Sequence, residues 1–148
     1  MAFIDFGLIF VLTNDSLTFN WARLDNYMFT VTVVNSKGGA GKTTLSTNIA
    51  SYYAKSNYKT ALIDYDSQGS STFWLKRRPE SAPTIQSIAA YKSSNNVTRS
   101  WFVRPELNTQ RVVVDSPSGL EVSTFRNNLT QSDAIIIPVL PSAIDIHA

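Results

Sequence analysis

Along the chain, the spacing of apolar positions switches repeatedly between strand and helix periods. Residues 29–35 (FTVTVVN) are β-branched and apolar, as a strand buried on both faces should be. Residues 42–55 then change to helical spacing, with Leu45, Ile49, Tyr52 and Tyr53 along one stripe. Further strands are predicted over 59–64 (KTALID), 111–115 (RVVVD) and 134–139 (AIIIPV). Ser70 is placed to cap a short helix that runs to Leu75. Ile85, Ile88 and Ala89 predict a helix over 84–91, and Val122, Phe125 and Leu129 predict one over 120–129. Residues 93–98 read as a polar turn and residues 101–103 as a short strand. Strands that alternate with helices imply an α/β fold, with a mostly parallel sheet and helices on both faces.

The two ends depart from this pattern. Residues 1–27 hold an apolar run and then a polar stretch, and no turn chemistry joins them to Met28. They are expected to be an N-terminal extension to a domain at 28–148. The alternatives are an added edge strand or a partner-binding arm. Residues 141–148 (PSAIDIHA) start what should be another helix and stop. The expectation is therefore a partial domain whose sheet is open at its C-terminal edge, where unpaired strands invite aggregation.

Composition narrows the chemistry. With 43% apolar and 16% charged residues, the 148-residue chain has the makeup of a globular domain. The lack of cysteine excludes disulfides, zinc–thiolate sites and cysteine-held iron–sulfur clusters. The net charge of +2 does not by itself call for nucleic acid. The densest basic run, Lys76-Arg77-Arg78, reads as a solvated loop that could also touch DNA phosphates, with Arg99, Arg104 and Arg111 further along. The apolar run at 2–12 contains Asp5, reaches about half the length of a membrane span, and lacks the basic start of a secretion signal. A cytoplasmic location is expected. Trp74 and Trp101 read as packing residues, and no ligand role is expected for His147.

The sharpest chemical signal lies between the first predicted strand and helix of the 28–148 domain: Ser36-Lys37-Gly38-Gly39-Ala40-Gly41-Lys42-Thr43-Thr44. Small residues let the main chain wrap a phosphate, and successive amides and the helix N-terminus then face the anion. In such a loop Lys42 reaches the β- and γ-phosphates of ATP, and Thr43 offers its hydroxyl to Mg²⁺. The strict pattern has glycine where Ser36 stands, so the match is to the deviant form K-G-G-x-G-K-[ST], marked by the extra Lys37. Asp115, at the end of a strand, would hold the metal through water.

These residues resemble the ParA/MinD family of P-loop ATPases. Asp64-Tyr65-Asp66-Ser67-Gln68-Gly69 is similar to the family's D-x-D-P-Q-G stretch, with Ser67 in place of proline. Residues 111–117 (RVVVDSP) resemble its strand ending in D-[TS]-P, and residues 134–142 (AIIIPVLPS) its I-I-P-x-x-P-S segment. The resemblance implies a P-loop NTPase-type fold, an ATP-dependent sandwich homodimer and slow hydrolysis that dissolves it. Lys37 is implied to reach the partner's phosphates, Asp66 to orient the attacking water, and Asp64 to support the metal's outer shell. It also implies non-specific DNA binding, an activating partner protein and nucleoid association, with the D-x-D-x-Q-G stretch nearer the ParA branch. A membrane-tracking ATPase of the MinD branch and a metabolic ligase on the same fold are the alternatives.

Overall fold

In the computed structural model, residues 8–13, 27–92, 104–119 and 122–139 are described. The turn expected at 93–98, the strand at 101–103, the helix start at 141–148, and Arg99, Trp101 and His147 lie outside them.

Among the described residues six strands form one sheet: β1 (Leu8–Thr13), β2 (Phe29–Val33), β3 (Thr60–Asp64), β4 (Ile85–Ala89), β5 (Arg111–Asp115) and β6 (Ala134–Val139). Three α-helices accompany it there: α1 (Lys42–Lys55), α2 (Ser70–Lys76) and α3 (Val122–Thr130). The spatial order is β1-β6-β2-β5-β3-β4. Every pairing is parallel except β1 with β6. The four strands read from 29–35, 59–64, 111–115 and 134–139 are β2, β3, β5 and β6, and they form the middle of the sheet. Parallel strands need covered faces, which is why these segments are apolar almost throughout. Among the described residues no helix is long and apolar enough to cross a membrane.

Two expectations are corrected. The helix predicted over 84–91 is the edge strand β4, which pairs with β3 in parallel and runs into a short 3₁₀ turn at Ala90–Lys92. Ile85 and Ile88 are spaced for one face of a helix, but on a strand the same spacing puts one on each face. Ile85 packs with Leu62, Val113, Ala50 and Ala54, while Ile88 packs with Ala61, Ile63, Val112, Val114 and Phe125. Both faces of this sheet are covered, so both isoleucines are buried, and periodicity could not separate the two readings. The second correction concerns the sheet edge beyond β6, which was expected to be open. It is filled by β1, in register from Leu8 opposite Val139 to Thr13 opposite Ala134.

The core divides into the two layers just named. One lies under α1 and α2 and includes Ile49, Tyr53, Trp74 and Leu75; the other lies under α3 and includes Tyr65 and Leu129. Trp74 thus packs, as expected. Two of the three residues in the basic run are drawn onto α2's own rings. The Arg77 guanidinium sits 4.9 Å from the Phe73 ring centre, and that of Arg78 sits 5.0 Å from Trp74. Arg78 also donates to Ser51 Oγ at 2.8 Å and to the Pro83 carbonyl at 2.7 Å, which ties α2 to α1. Arg111 is not a surface cation. It is 7% exposed, with its guanidinium 3.9 Å from the Tyr58 ring centre and 5.8 Å from those of Phe29 and Tyr53.

Leu62, fully buried in β3, is the best single probe of this packing. Leu62→Ala is expected to cost about 2–5 kcal/mol in urea unfolding, since the close-packed layer can only partly collapse into the cavity.

Candidate functional site

The C-terminal ends of β2, β3, β5 and β6 are latched together by main-chain bonds. Val34 N–H donates to Ile136 O at 2.9 Å, Tyr65 N–H to Asp115 O at 3.0 Å, and Ser116 N–H to Val33 O at 3.2 Å. From this rim rises the loop of residues 34–41. Asn35 fixes its base: Nδ2 donates to the Pro138 carbonyl at 2.7 Å, while Oδ1 accepts the Lys37 amide at 2.8 Å. The Gly119 amide donates to Ser36 O at 2.9 Å, so the segment after β5 holds the loop from the other side. Gly41 turns the chain into α1 at φ 87°, a left-handed conformation that side chains strain to adopt. The first turn of α1 has no acidic residue and no side-chain cap, so its amides and the positive end of the helix are suited to an external anion.

Lys42 is the first residue of that helix, yet it is only 6% exposed. Its Nζ folds back to donate to the Lys37 carbonyl at 3.0 Å. Burial pulls the Lys42 ammonium below its ordinary pKa, and the negative charges of Asp115 and Asp66 act against that pull. Those two carboxylates are thus close enough to Lys42 to be felt by it. Gly38, Gly39, Gly41 and Thr44 are exposed around the loop, Ala40 is buried, and the Lys37 residue is exposed.

Asp115 ends β5 and is 1% exposed. Its Oδ1 accepts from Ser46 Oγ of α1 at 3.2 Å, and its Oδ2 accepts from Ser71 Oγ of α2. Thr43 also lies close enough to favour its charged form. Burial raises the Asp115 carboxyl above its ordinary pKa; the Ser71, Thr43 and Ser46 hydroxyls oppose that rise, and the neighbouring Asp64 charge adds to it.

Asp64 stands directly beside Asp115 in the sheet register and is equally buried. Both of its oxygens are engaged. Oδ1 accepts the Asp66 amide at 3.1 Å, and Oδ2 accepts the Thr72 amide at 2.9 Å and the Thr72 hydroxyl at 3.0 Å. Asp64 is thereby tied to the Asp66 amide and to the start of α2. The residue before α2 is Gly69 at φ 64°, not a serine cap; Ser70 is the first helical residue. Half-buried Asp66 accepts the Gln68 amide at 2.9 Å.

The fold thus gathers Lys42, Thr43, Asp66 and Asp115 at one end of the sheet, with Asp64 behind them. Sequence reading missed Asn35, Ser46, Ser71 and Thr72. Ser46 carried a faint signal, being one turn beyond Lys42 and Thr43 on the same helix face. Asn35 and Ser71 carried none, because their partners lie 103 and 44 residues away.

The donor set decides which metal could be held here. Among the described residues no three His, Cys, Asp or Glu side chains converge, so a cage made wholly of protein is absent there. One buried carboxylate and one hydroxyl beside a phosphate-shaped loop suit Mg²⁺, which keeps several waters and shares its remaining ligands with phosphate oxygens.

The chain is similar in sequence to known proteins. The CobQ/CobB/MinD/ParA nucleotide binding domain matches residues 31–145. The chain is 34% identical over 123 residues to the maintenance of carboxysome distribution protein A of Halothiobacillus neapolitanus, covering 83% of this chain and 56% of that protein. It is 28% identical over 119 residues to protein ParA of Rhizobium radiobacter, covering 78% and 50% of the two. A shorter match, 42% over 50 residues, is to the chromosome-partitioning ATPase Soj of Thermus thermophilus, covering 34% of this chain and 20% of Soj. The chain spans about half the length of the relatives it matches over most of its own length. With the loop, the buried lysine and the strand-end aspartate in one place, this chain belongs to the CobQ/CobB/MinD/ParA family of nucleotide-binding domains.

Proposed function

We propose that this chain carries the nucleotide site of a ParA-type switch. It binds ATP with Mg²⁺, pairs with a second copy across the nucleotide, and hydrolyses ATP slowly to end the pairing. One observation carries the reading: a lysine held at 6% exposure inside a glycine loop, at an uncapped helix start, within the field of two carboxylates. An anion bound at that uncapped helix start would be met by both the amides and the Lys42 ammonium.

Each residue then has a task. The loop amides and Lys42 bind the phosphate tail. The Thr43 hydroxyl and, through water, Asp115 would hold Mg²⁺, whose charge draws the phosphate oxygens together. Asp66, on the short loop before α2, orients the attacking water. Asp64 keeps that loop in place and touches the chemistry only through its field on Asp115. Lys37, exposed on the loop, acts on the nucleotide of the partner copy in the manner of an arginine finger. The tasks of the relatives, whose names speak of carboxysome distribution and chromosome partitioning, support cargo or DNA positioning for the whole protein. Non-specific DNA and an activating partner protein are the proposed further contacts. With Arg77 and Arg78 engaged by aromatic rings, the 76–78 run is a weak candidate for the DNA surface.

Titration with a fluorescent ATP analogue, with and without Mg²⁺, tests the reading directly. Absence of binding by the chain would overturn it. Lys42→Ala is expected to weaken binding roughly tenfold to a hundredfold, the worth of a charge-assisted contact of about 1.5–3 kcal/mol. Lys37→Ala is expected to keep nucleotide binding but to lose ATP-dependent dimerisation in sedimentation, and to lower the hydrolysis rate about a thousandfold. Unchanged dimerisation and turnover would remove Lys37 from the mechanism.

The raised Asp115 pKa has a definite sign in stability. The folded chain holds this proton more tightly than the unfolded chain does. The associated stability is therefore present below the ordinary value of 3.8 and is lost as pH rises through the folded value. Asp115→Asn is expected to melt at a higher temperature than wild type at pH 7, with the gap closing toward pH 3, while Mg²⁺-dependent nucleotide binding is lost. Calorimetry across that range reads the trend.

A further inference from the structure

α2 is tied to the sheet by two adjacent residues and two adjacent carboxylates. Ser71, fully buried, donates to Oδ2 of Asp115, and Thr72 donates twice to Oδ2 of Asp64. Asp64 and Asp115 are register partners on β3 and β5. The loop of residues 65–69, which carries Asp66, is thus strung between Asp64 at one end and the start of α2 at the other. The Tyr65 amide on the Asp115 carbonyl adds a third attachment to the same point of β5.

Asp115 is held from opposite sides. Ser46 grips one oxygen from α1, the helix that begins at the phosphate loop, and Ser71 grips the other from α2, the helix that follows Asp66. A carboxylate that turns toward a metal-bound water must leave these hydroxyls or carry them with it. α1 is the longer helix and lies along β3 and β5, whereas α2 has only seven residues. Motion is therefore more readily passed to α2.

We propose that Ser71 is a positioning residue that couples Asp115 to the Asp66 loop. Its hydroxyl sets the rotamer of the carboxylate that meets Mg²⁺, and it transmits that engagement through α2 to residues 65–69. The inference rests on the ATP and Mg²⁺ reading given above.

Trp74 lies one turn beyond Ser71 on α2, half-buried against the core, and so reports on this helix. The chain has three tryptophans, and replacing the other two (Trp21→Phe, Trp101→Phe) leaves Trp74 as the sole emitter. The probes are ADP and Mg²⁺, with ADP binding measured first in EDTA and then during Mg²⁺ titration. In the Ser71→Ala variant, ADP binding in EDTA should match wild type. The Mg²⁺ half-saturation should rise about tenfold, and the Trp74 response to Mg²⁺ should vanish. Ser71→Thr, which keeps the hydroxyl, should restore both.

A purely structural role would instead lower ADP binding in EDTA along with the melting temperature, and that result overturns the coupling. So does a Ser71→Ala variant with wild-type half-saturation and emission change. If Ser71→Ala fails to fold by circular dichroism, Ser71→Cys decides, because its weak donor should still raise the half-saturation, and wild-type behaviour would refute the proposal. A wild-type chain whose ADP binding ignores Mg²⁺ overturns the magnesium reading together with this one.

Discussion

Two carboxylates lie side by side on neighbouring strands of a parallel sheet, each about 1% exposed, and the rest of the molecule's chemistry is arranged around that fact. Isolated buried charges are costly, and adjacent like charges more so. Here the charge is shared out. Asp64 accepts from the Asp66 amide and from the amide and hydroxyl of Thr72, and Asp115 accepts from hydroxyls of α1 and α2. Lys42 supplies the opposite sign from the phosphate loop. Removing any of these partners leaves a buried acceptor or charge unmatched.

The arrangement explains why the site sits where it does. Parallel strands all end on the same rim, and the loops that leave that rim can be cross-linked by main-chain bonds. The phosphate loop, the segment after Asp115 and the Asp66 loop are joined in this way at Ser36, Val33 and Asp115. A rim so connected holds the glycine loop at one place on the sheet. Burial raises the pKa of Asp115 and so disfavours its charged form in the folded chain.

Much of the fold was legible because both covered faces demand apolar strands. The segments that became β2, β3, β5 and β6 announced themselves as near-continuous β-branched runs. Reading failed where local pattern was ambiguous or where the deciding contact was remote. Ile85 and Ile88 fit a helix stripe as well as the two faces of a strand, and only the unpaired side of β3 resolved the choice. The apolar run near the N-terminus looked detached because its partner, β6, lies more than a hundred residues away.

The site divides along the same line. The sequence by itself determined the phosphate loop, since the amide wrap, the left-handed Gly41 and the reach of Lys42 are local properties of nine consecutive residues. It also marked Asp64 and Asp115 as strand-end carboxylates and Asp66 as a carboxylate on the loop that follows. Tertiary structure alone decided what those carboxylates touch. Sheet register put Asp64 beside Asp115, helix packing brought Ser46 and Ser71 to opposite oxygens of Asp115, and the start of α2 came to Asp64. The physical reason is that a hydrogen bond to a buried carboxylate depends on the position of an atom in space, and sequence spacing records position only within a single helix or strand.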